Sequence, residues 1–284
     1  MIKTNFGGFP SEYSSLKTSK IVLLPVPYDK TSTWIKGADK GPDAILEASP
    51  NLEFYDLETD SEVFKRGIFT DKPVTEDESP EKMVKAVKER IKAHLKNSKF
   101  VATIGGNHSV SIGAFAAHSE QFKDLCILQL DAHSDLRDEY EGSKLNHACA
   151  MARAKEFCPI VQVGIRSMDI CEKSNMNKNS VFFAKDIYQN TEWIKKVIPK
   201  LSKKVYLTID LDVFDPSLMP STGTPEPGGL QWYPVIELIK EVIKQRELVG
   251  FDIVELCPNP NNKGSDFMAA KLVYTILTHR FLKN

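Results

Sequence analysis

Short apolar runs alternate with amphipathic segments along most of the 284-residue chain. The runs are continuous, which is typical of strands that are covered on both faces. Seven strands are predicted, at residues 21–24, 100–104, 126–130, 160–165, 181–184, 205–209 and 249–254. Because strands that alternate with helices favour a parallel sheet between two helical layers, the pattern predicts an α/β fold.

Apolar residues spaced by three and four predict helices between these strands. One helix is predicted to begin at Pro80, with Ser79 as its N-cap. Similar apolar faces recur near residues 194–201, 235–242 and 267–277. In parallel sheets, ligands bind beyond the carboxyl ends of the strands, so the chemistry is expected in the residues that follow each apolar run.

Composition excludes several classes of protein. The net charge is −1, with 37 basic and 38 acidic residues, which lacks the basic excess of a nucleic-acid-binding protein. No apolar run approaches the ~20 residues that span a bilayer, and the N-terminal segment does not resemble a secretory signal, so a cytoplasmic protein is expected. The five scattered cysteines favour neither a disulfide framework nor a zinc ribbon. Without repeats or long linkers, residues 1–284 are predicted to form one domain.

Acids and histidines follow four of the predicted strands. His108 lies in GGNHS after the strand at 100–104, and DAHSD occupies residues 131–135 after the next strand. Asp210-Leu211-Asp212 and Glu255 follow the strands at 205–209 and 249–254. Since the carboxyl ends of parallel strands meet at one edge of a sheet, these side chains are expected to lie together.

The spacing of these residues indicates a metal site. In extended segments, residues i, i+2 and i+4 point to one side, so DxHxD and DxD each direct their ligands together. Four clustered carboxylates would repel one another unless cations lay between them. Carboxylate and imidazole ligands suit Mn²⁺, Fe²⁺, Co²⁺ or Zn²⁺, and the excess of carboxylates favours Mn²⁺. A lone DxD is usually a solvated turn, but the combined set predicts a site for two ions that activates water.

These motifs closely resemble the ureohydrolase family, which includes arginase and agmatinase. The resembling segments are PVPYD at 25–29, GADKGPDAILEAS at 37–49, GGNHS at 105–109, DAHSD at 131–135, TIDLDVFDPSLMPSTGTPEPGG at 208–229 and DIVE at 252–255. Thr208 stands where serine is commoner in the family. The resemblance covers nearly the whole chain in the expected order.

The resemblance implies a three-layer α/β/α sandwich around a mostly parallel, eight-stranded, arginase-like sheet. It implies two Mn²⁺ ions per subunit, with Co²⁺ or Fe²⁺ as alternatives, and a homo-oligomer, either a trimer or a hexamer. The six metal ligands that it implies are His108, Asp131, His133, Asp135, Asp210 and Asp212. Asp131 and Asp210 would bridge the two ions.

The implied reaction is the hydrolysis of a guanidinium group to urea and an amine. Asp135 is expected to hydrogen-bond the tetrahedral intermediate, and His147 resembles the histidine that carries protons in this family. Glu255 resembles the carboxylate that binds the substrate guanidinium through two parallel hydrogen bonds. Glu226 either orders its loop or faces the substrate. Trp34 either walls the pocket or packs within its loop.

The loop that follows DAHSD bears on the substrate. In arginases this loop is rich in Asn, Ser and Thr and ends in His-Gly, whereas here it carries Asp138, Glu139 and Glu141, and Ala148 replaces the glycine. Acids there favour a cationic tail, as in agmatine or N-aminopropylagmatine, unless they only form a solvated face. Arg137 counts against this argument, because a positive group would suit a substrate with a distal carboxylate.

Other functions stay open on the sequence alone. Arginine, guanidinobutyrate and formiminoglutamate are alternative substrates of the same class. A metal-dependent deacetylase would lack the second set of ligands, and a non-catalytic metal-binding protein would have lost ligands or the shuttle histidine. Three histidines outside every motif, His94, His118 and His279, are predicted to be solvated.

Overall fold

A computed structural model of the chain describes residues 5–188, 190 and 192–282. Its centre is one eight-stranded sheet in which all neighbouring strands are parallel. The strands are β1 (Ile21–Val26), β2 (Ile68–Thr70), β3 (Phe100–Gly105), β4 (Leu125–Leu130), β5 (Ile160–Ile165), β6 (Val181–Phe183), β7 (Lys204–Asp210) and β8 (Glu247–Val254). Their order across the sheet is β2-β1-β3-β8-β7-β4-β5-β6.

Helices cover both faces of this sheet. The described α-helices are α1 (Ser11–Ser14), α2 (Gly41–Ala48), α3 (Pro80–Lys96), α4 (Ser111–Gln121), α5 (Ala150–Phe157), α6 (Ala184–Tyr188), α7 (Trp193–Val197), α8 (Trp232–Gln245) and α9 (Gly264–Phe281). The expected three-layer α/β/α arrangement is confirmed, with a sheet that is parallel throughout its described pairs.

Two hydrophobic cores explain why the strands are continuously apolar. Leu23 of β1 packs into the core beneath α2, α8 and α9. The next residue, Leu24, packs into the opposite core, beneath α3, α4 and α5. Because alternate side chains of a strand point to opposite faces, both sets must be apolar when both faces are covered.

Most predicted elements are present, with small differences at their ends. The side chain of Ser79 accepts a hydrogen bond from the backbone N–H of Lys82 and caps α3 as predicted. The strand at 181–184 ends one residue early, because Ala184 begins α6. The edge strand β2 was not predicted, since three residues are too few to show a periodic pattern.

Candidate metal centre and active site

Four neighbouring strands bring the predicted site residues to one edge of the sheet. The strands β3, β8, β7 and β4 are adjacent in that order, and all run in the same direction. The residues that follow them include His108, Glu255, Asp212 and the DAHSD turn at 131–135. Residues that are nearly 150 positions apart in the sequence are therefore adjacent in space.

Two groups of ligand atoms lie close enough together to hold metal ions. One group consists of His108, Asp131 and Asp135, and the other of Asp131, His133 and Asp212. Within each group, the candidate ligand atoms lie within 4.8 Å of one another. Asp131 belongs to both groups, as expected of a carboxylate between two ions.

Asp210 lies slightly farther from His108 than Asp131 and Asp135 do. Its Oδ2 is 3.6 Å from Nδ1 of His108, whereas the carboxylates of Asp131 and Asp135 approach the same nitrogen to 3.1 and 2.9 Å. Asp210 ends β7, and its Oδ1 accepts a hydrogen bond of 2.9 Å from the backbone N–H of Asp212. This contact orients its carboxylate toward the cluster.

Backbone hydrogen bonds fix the other carboxylates as well. Oδ1 of Asp131 accepts from the backbone N–H of His133 at 2.6 Å. Oδ1 of Asp212 accepts from the backbone N–H of Ala132 at 3.0 Å, which joins the turns after β4 and β7. Oδ2 of Asp131 also accepts from Nε2 of Gln129 at 2.6 Å, so both oxygens of this carboxylate are held by the protein.

The pKa values of the cluster show how crowded its charges are. Burial and the nearby carboxylates of Asp212 and Asp135 raise the pKa of Asp131 to about 7. Burial and the same crowding raise the pKa of Asp210 well above its usual value. Although burial opposes it, the charge of Asp212 raises the pKa of His133 to about 10. Without cations between them, the crowded carboxylates keep protons that an isolated carboxylate in water would lose.

The cluster fits a divalent metal ion. Nδ1 of His108 is buried and, among the described residues, has no hydrogen-bond partner, although it faces the carboxylates of Asp131 and Asp135. An unpaired buried nitrogen is costly unless it binds something, and an imidazole lone pair directed at carboxylates is an arrangement that suits metal binding. Oxygen and imidazole nitrogen ligands without thiolate suit ions such as Mn²⁺.

A buried hydrogen-bonded chain supports the other nitrogen of His108. Nε2 lies 2.9 Å from Oγ1 of Thr208, which donates to Oδ1 of Asp252 at 2.6 Å. Oδ2 of Asp252 accepts from the hydroxyl of Tyr206 at 2.8 Å. All four side chains are buried, so the chain fixes the ring of His108 before any ion binds.

A cavity of about 280 Å³ opens beside the cluster. It contains predicted residues of both kinds, namely metal ligands and residues predicted to contact the substrate. Those lining it are His133, Asp135, Asp210, His147 and Glu255. Trp34 also lines the cavity, and 75% of its surface is exposed. This position agrees with the first of its two predicted roles, in which it forms a wall of the pocket.

Asp135 and Glu255 have unusual backbone conformations. Their φ angles are +52° and +66°, in the left-handed region that residues other than glycine rarely adopt. Oε1 of Glu255 accepts a hydrogen bond of 2.7 Å from the backbone N–H of His108. Burial raises the pKa of Glu255 to about 8. Strain and a raised pKa in one cavity are typical of functional sites.

His147 lines the cavity. Burial lowers its pKa from the usual value, and Nδ1 has no hydrogen-bond partner in the described part of the chain. Its backbone N–H donates to Oγ1 of Thr31 at 3.2 Å. A neutral imidazole on the wall of a cavity is suited to proton transfer.

Glu226 lies beside the metal cluster and is not among the described residues that line the cavity. Its Oε1 is 3.9 Å from Nε2 of His133, on the side of the ring away from Asp212. The structure therefore brings Glu226 close to a predicted metal ligand, while its predicted contact with substrate stays a prediction.

Comparisons with known proteins agree with this geometry. The sequence model of the arginase family matches residues 19–279. The chain belongs to the arginase family.

Individual members of the arginase family match over almost the full length of the chain. An N(1)-aminopropylagmatine ureohydrolase from Synechocystis is 36% identical, covering 93% of this chain and 90% of that protein. An agmatinase from Pyrococcus horikoshii is 32% identical, with 92% of each chain covered. The crystal structure of the agmatine ureohydrolase of Thermoplasma volcanium is 32% identical and superposes with a TM-score of 0.85, covering 94% of this chain and 91% of that one. Membership makes the chain a ureohydrolase-type enzyme that hydrolyses C–N bonds.

The acidic loop after DAHSD does not form the described lining of the cavity. None of Asp138, Glu139 and Glu141 is among the described residues that line it, and Asp138 pairs with Arg153 at 2.7 Å. Of the two roles left open for this loop, the structure favours the solvated face. Its charges are exposed or paired at the surface.

Two acids that the sequence analysis missed line the cavity instead. They are Asp169 and Glu172, which follow β5 at the same edge of the sheet as the other site residues. Arg137 pairs with both, at 3.4 Å from Asp169 and 3.2 Å from Glu172, and its guanidinium lies 4.5 Å from the ring centre of Tyr140. The rule about strand ends, if extended to β5, would have identified them.

The prediction that three histidines are solvated was wrong. His94, His118 and His279 are all buried. His118 packs against Tyr206 with ring centres 4.5 Å apart, and burial lowers its pKa to about 4. His94 lies 2.7 Å from a carboxylate oxygen of Asp71. His118 and His279 lie on α4 and α9, most of whose residues are buried, so apolar spacing did not reveal that the neighbouring elements cover these histidines.

No described helix combines the length and the apolar character needed to cross a bilayer.

Proposed function

We propose that this arginase-family enzyme hydrolyses agmatine or N-aminopropylagmatine to urea and putrescine or a longer polyamine. The acidic lining of the cavity carries the proposal. Asp135, Asp169, Glu172, Asp210 and Glu255 line it, and Arg137 is the one lysine or arginine among the described lining residues. A substrate with a guanidinium and a second cationic group matches this excess of acids.

Two divalent ions per subunit are proposed at the cluster, with Mn²⁺ preferred and Co²⁺ or Fe²⁺ as alternatives. Asp131 and Asp210 would belong to both ligand sets. His108 and Asp135 would complete the set for one ion, and His133 and Asp212 would complete the set for the other. When bound, the ions would supply water activated for attack on the guanidinium carbon.

The residues around the cluster would orient the substrate and move protons. One oxygen of Glu255 is held by the backbone of His108, which leaves Oε2 directed toward the loop at Gly223 to accept a guanidinium N–H. Asp135 would hydrogen-bond the tetrahedral intermediate as the amine leaves. The neutral ring of His147 would carry a proton between solvent and the leaving nitrogen.

The acidic lining of the cavity disfavours the alternative substrates. Arginine, guanidinobutyrate and formiminoglutamate each carry a carboxylate, which the lining acids would repel. Arg137, the one lysine or arginine among the described lining residues, already pairs with Asp169 and Glu172. A second ammonium suits this lining better than a second carboxylate does.

Three further proposals concern the protein as a whole. Residues 1–284 form one ureohydrolase domain, which the single sheet and the extent of the family match support. The protein is cytoplasmic and binds small cationic guanidino compounds. It forms a trimer or a hexamer, which analytical ultracentrifugation would test.

The substrate proposal is tested by urea release. Enzyme loaded with Mn²⁺ would be compared on agmatine, N-aminopropylagmatine, arginine and guanidinobutyrate. Higher kcat/KM for one of the first two is expected. Preference for arginine or guanidinobutyrate would refute the cationic-tail argument while leaving the chemistry intact. Glu255→Gln is the matched variant: it is expected to keep its metal content and lose most turnover, and unchanged kinetics would refute the guanidinium contact.

A further inference from the structure

The guanidinium of Arg166 is surrounded by backbone carbonyls. Arg166 follows β5, and its Nη2 donates to the carbonyl of Asp212 at 2.6 Å and to that of Glu226 at 2.9 Å. Nε donates to Pro227 at 3.1 Å, and Nη1 contacts the carbonyls of Gly164 and Val213 at 3.3 and 3.4 Å. Within the described chain, no carboxylate forms a salt bridge with it, so its donors serve the backbone alone.

These carbonyls belong to segments that form the site. Asp212 is a predicted metal ligand at the turn after β7, and Glu226 and Pro227 belong to the loop of residues 223–229. The backbone N–H of Arg166 also donates to the carbonyl of Ala132 at 2.8 Å, within the DAHSD turn. Arg166 therefore connects three segments, namely the turn after β4, the turn after β7 and the loop of residues 223–229. The loop carries no predicted metal ligand.

The loop of residues 223–229 is held from both sides. Arg166 donates hydrogen bonds to carbonyl oxygens of the loop. Oδ2 of Asp215 accepts from the backbone N–H groups of Gly228 and Gly229, each at 3.0 Å. The start of the loop, Gly223 and Thr224, lines the cavity. A shift of the loop would therefore move one wall of the substrate cavity.

We propose that Arg166 is a positioning residue, whose guanidinium fixes the loop of residues 223–229 as a wall of the substrate cavity against the turn that carries Asp212. The planar guanidinium has five N–H donors in a fixed arrangement, which a lysine ammonium cannot reproduce. Arg166 itself is not among the described residues that line the cavity. Its effect on the substrate is therefore indirect.

The structure provides a matched control in Arg246, which also donates to backbone carbonyls. Its Nη2 donates to Ile198 and its Nε to Leu201, at 2.9 and 3.2 Å, far from the strand ends that form the site. Arg166→Met and Arg246→Met remove the same chemical group at the two places. A purely structural role for both arginines predicts similar effects on turnover.

The test combines kinetics with backbone hydrogen exchange on the full-length, metal-loaded enzyme. Arg166→Met is expected to raise KM for the preferred substrate about tenfold, with kcat lowered less and metal content unchanged. Amide exchange in residues 223–229 is expected to accelerate in this variant and to stay at the wild-type rate in Arg246→Met. Arg166→Lys is expected to behave like Arg166→Met, because it keeps the charge and loses the fixed arrangement of donors.

Two outcomes would overturn the proposal. One is a KM for Arg166→Met, or for Arg166→Lys if the first variant does not fold, that equals the KM of wild type or of Arg246→Met. The other is unchanged exchange in the loop. The kinetic arm rests on the proposed function, whereas the exchange arm does not. An enzyme that is inactive on every guanidino substrate would therefore refute the proposed function and leave the role of Arg166 to be decided by exchange.

Discussion

The two histidines of the metal cluster have contrasting surroundings. The side chain of His108 is 1% exposed, and the buried chain through Thr208 and Asp252 supports its Nε2. The side chain of His133 is 25% exposed and lines the cavity, and its Nε2 faces Glu226 across 3.9 Å. One end of the cluster is therefore built into the sheet, and the other end is open to the cavity.

This difference suggests a division of labour within the site. A ligand held by buried hydrogen bonds loses little freedom when an ion binds, so the ion at His108 is expected to bind more tightly. The end at His133 can adjust when substrate enters, because solvent and a partly exposed carboxylate surround it. Two predictions test this contrast, beginning with the larger expected effect, and a third concerns an ion pair outside the site.

Replacing the carboxylate that both ends share should abolish the contrast. Asp131→Asn keeps the size of the side chain and removes the charge between the two groups of ligands. Both ions are expected to be lost, and activity should fall by about three orders of magnitude or more, since activation of water depends on them. Metal content after gel filtration and urea release would measure the two effects. A variant that keeps two ions and normal turnover would refute the dinuclear site.

Separate variants at the two ends should have unequal effects. Asp252→Asn disturbs the buried chain behind His108, and the affinity for the tighter Mn²⁺ is expected to fall by about 10–100-fold. Glu226→Gln removes the charge that faces His133, and the longer distance there predicts a loss of about threefold or less. Both proteins would be titrated with Mn²⁺ by calorimetry after removal of metal. Equal losses, or a larger loss for Glu226→Gln, would contradict the proposed difference.

A partly buried histidine–aspartate pair outside the site, His94 and Asp71, allows stability to be tested without metal. Although burial opposes it, hydrogen bonds from His94 and Arg90 lower the pKa of Asp71 below its usual 3.8. A lowered carboxyl pKa contributes stability above 3.8 that is lost as the pH falls through the folded-state pKa. Asp71→Asn is expected to cost about 1–2 kcal/mol at pH 7.

The difference in unfolding free energy between Asp71→Asn and wild type should shrink as the pH falls below 3.8, where the wild-type carboxyl takes up a proton. Urea denaturation at several pH values would measure it, and urea release at pH 7 should be unchanged. A difference that does not vary with pH would show that the ion pair is not its cause.

Strand ends were the most predictable part of this molecule. His108, Asp131 and Asp212 each follow a long, continuously apolar run, and a parallel sheet brings such ends together whatever the strand order. The sheet order itself was not predictable from the periodicity. The role of Asp252 was therefore not predicted, since it depends on the pairing of β7 with β8, which places Asp252 beside Thr208.

The errors have physical causes of a different kind. His118 lies on a helix most of whose residues are buried, so the spacing of apolar residues alone could not show the environment of His118. Asp169 and Glu172 are separated from the end of β5 by residues 166–168, which belong to none of the eight strands, so the strand itself does not fix where their side chains point. Asp138 has the charge expected at the substrate's tail, yet its direction is set by Arg153.

The position of β8 has a consequence for how the enzyme comes to exist. This strand is the last of the sheet in the sequence, yet it lies between β3 and β7 at the middle of the site. While the chain is being synthesised, His108 and Asp212 emerge before β8, the strand that must insert between β3 and β7. Contacts of such sequence separation form late and slowly. The active centre is therefore completed only when the C-terminal part of the chain inserts, and a truncated or stalled chain has a divided sheet with no assembled centre.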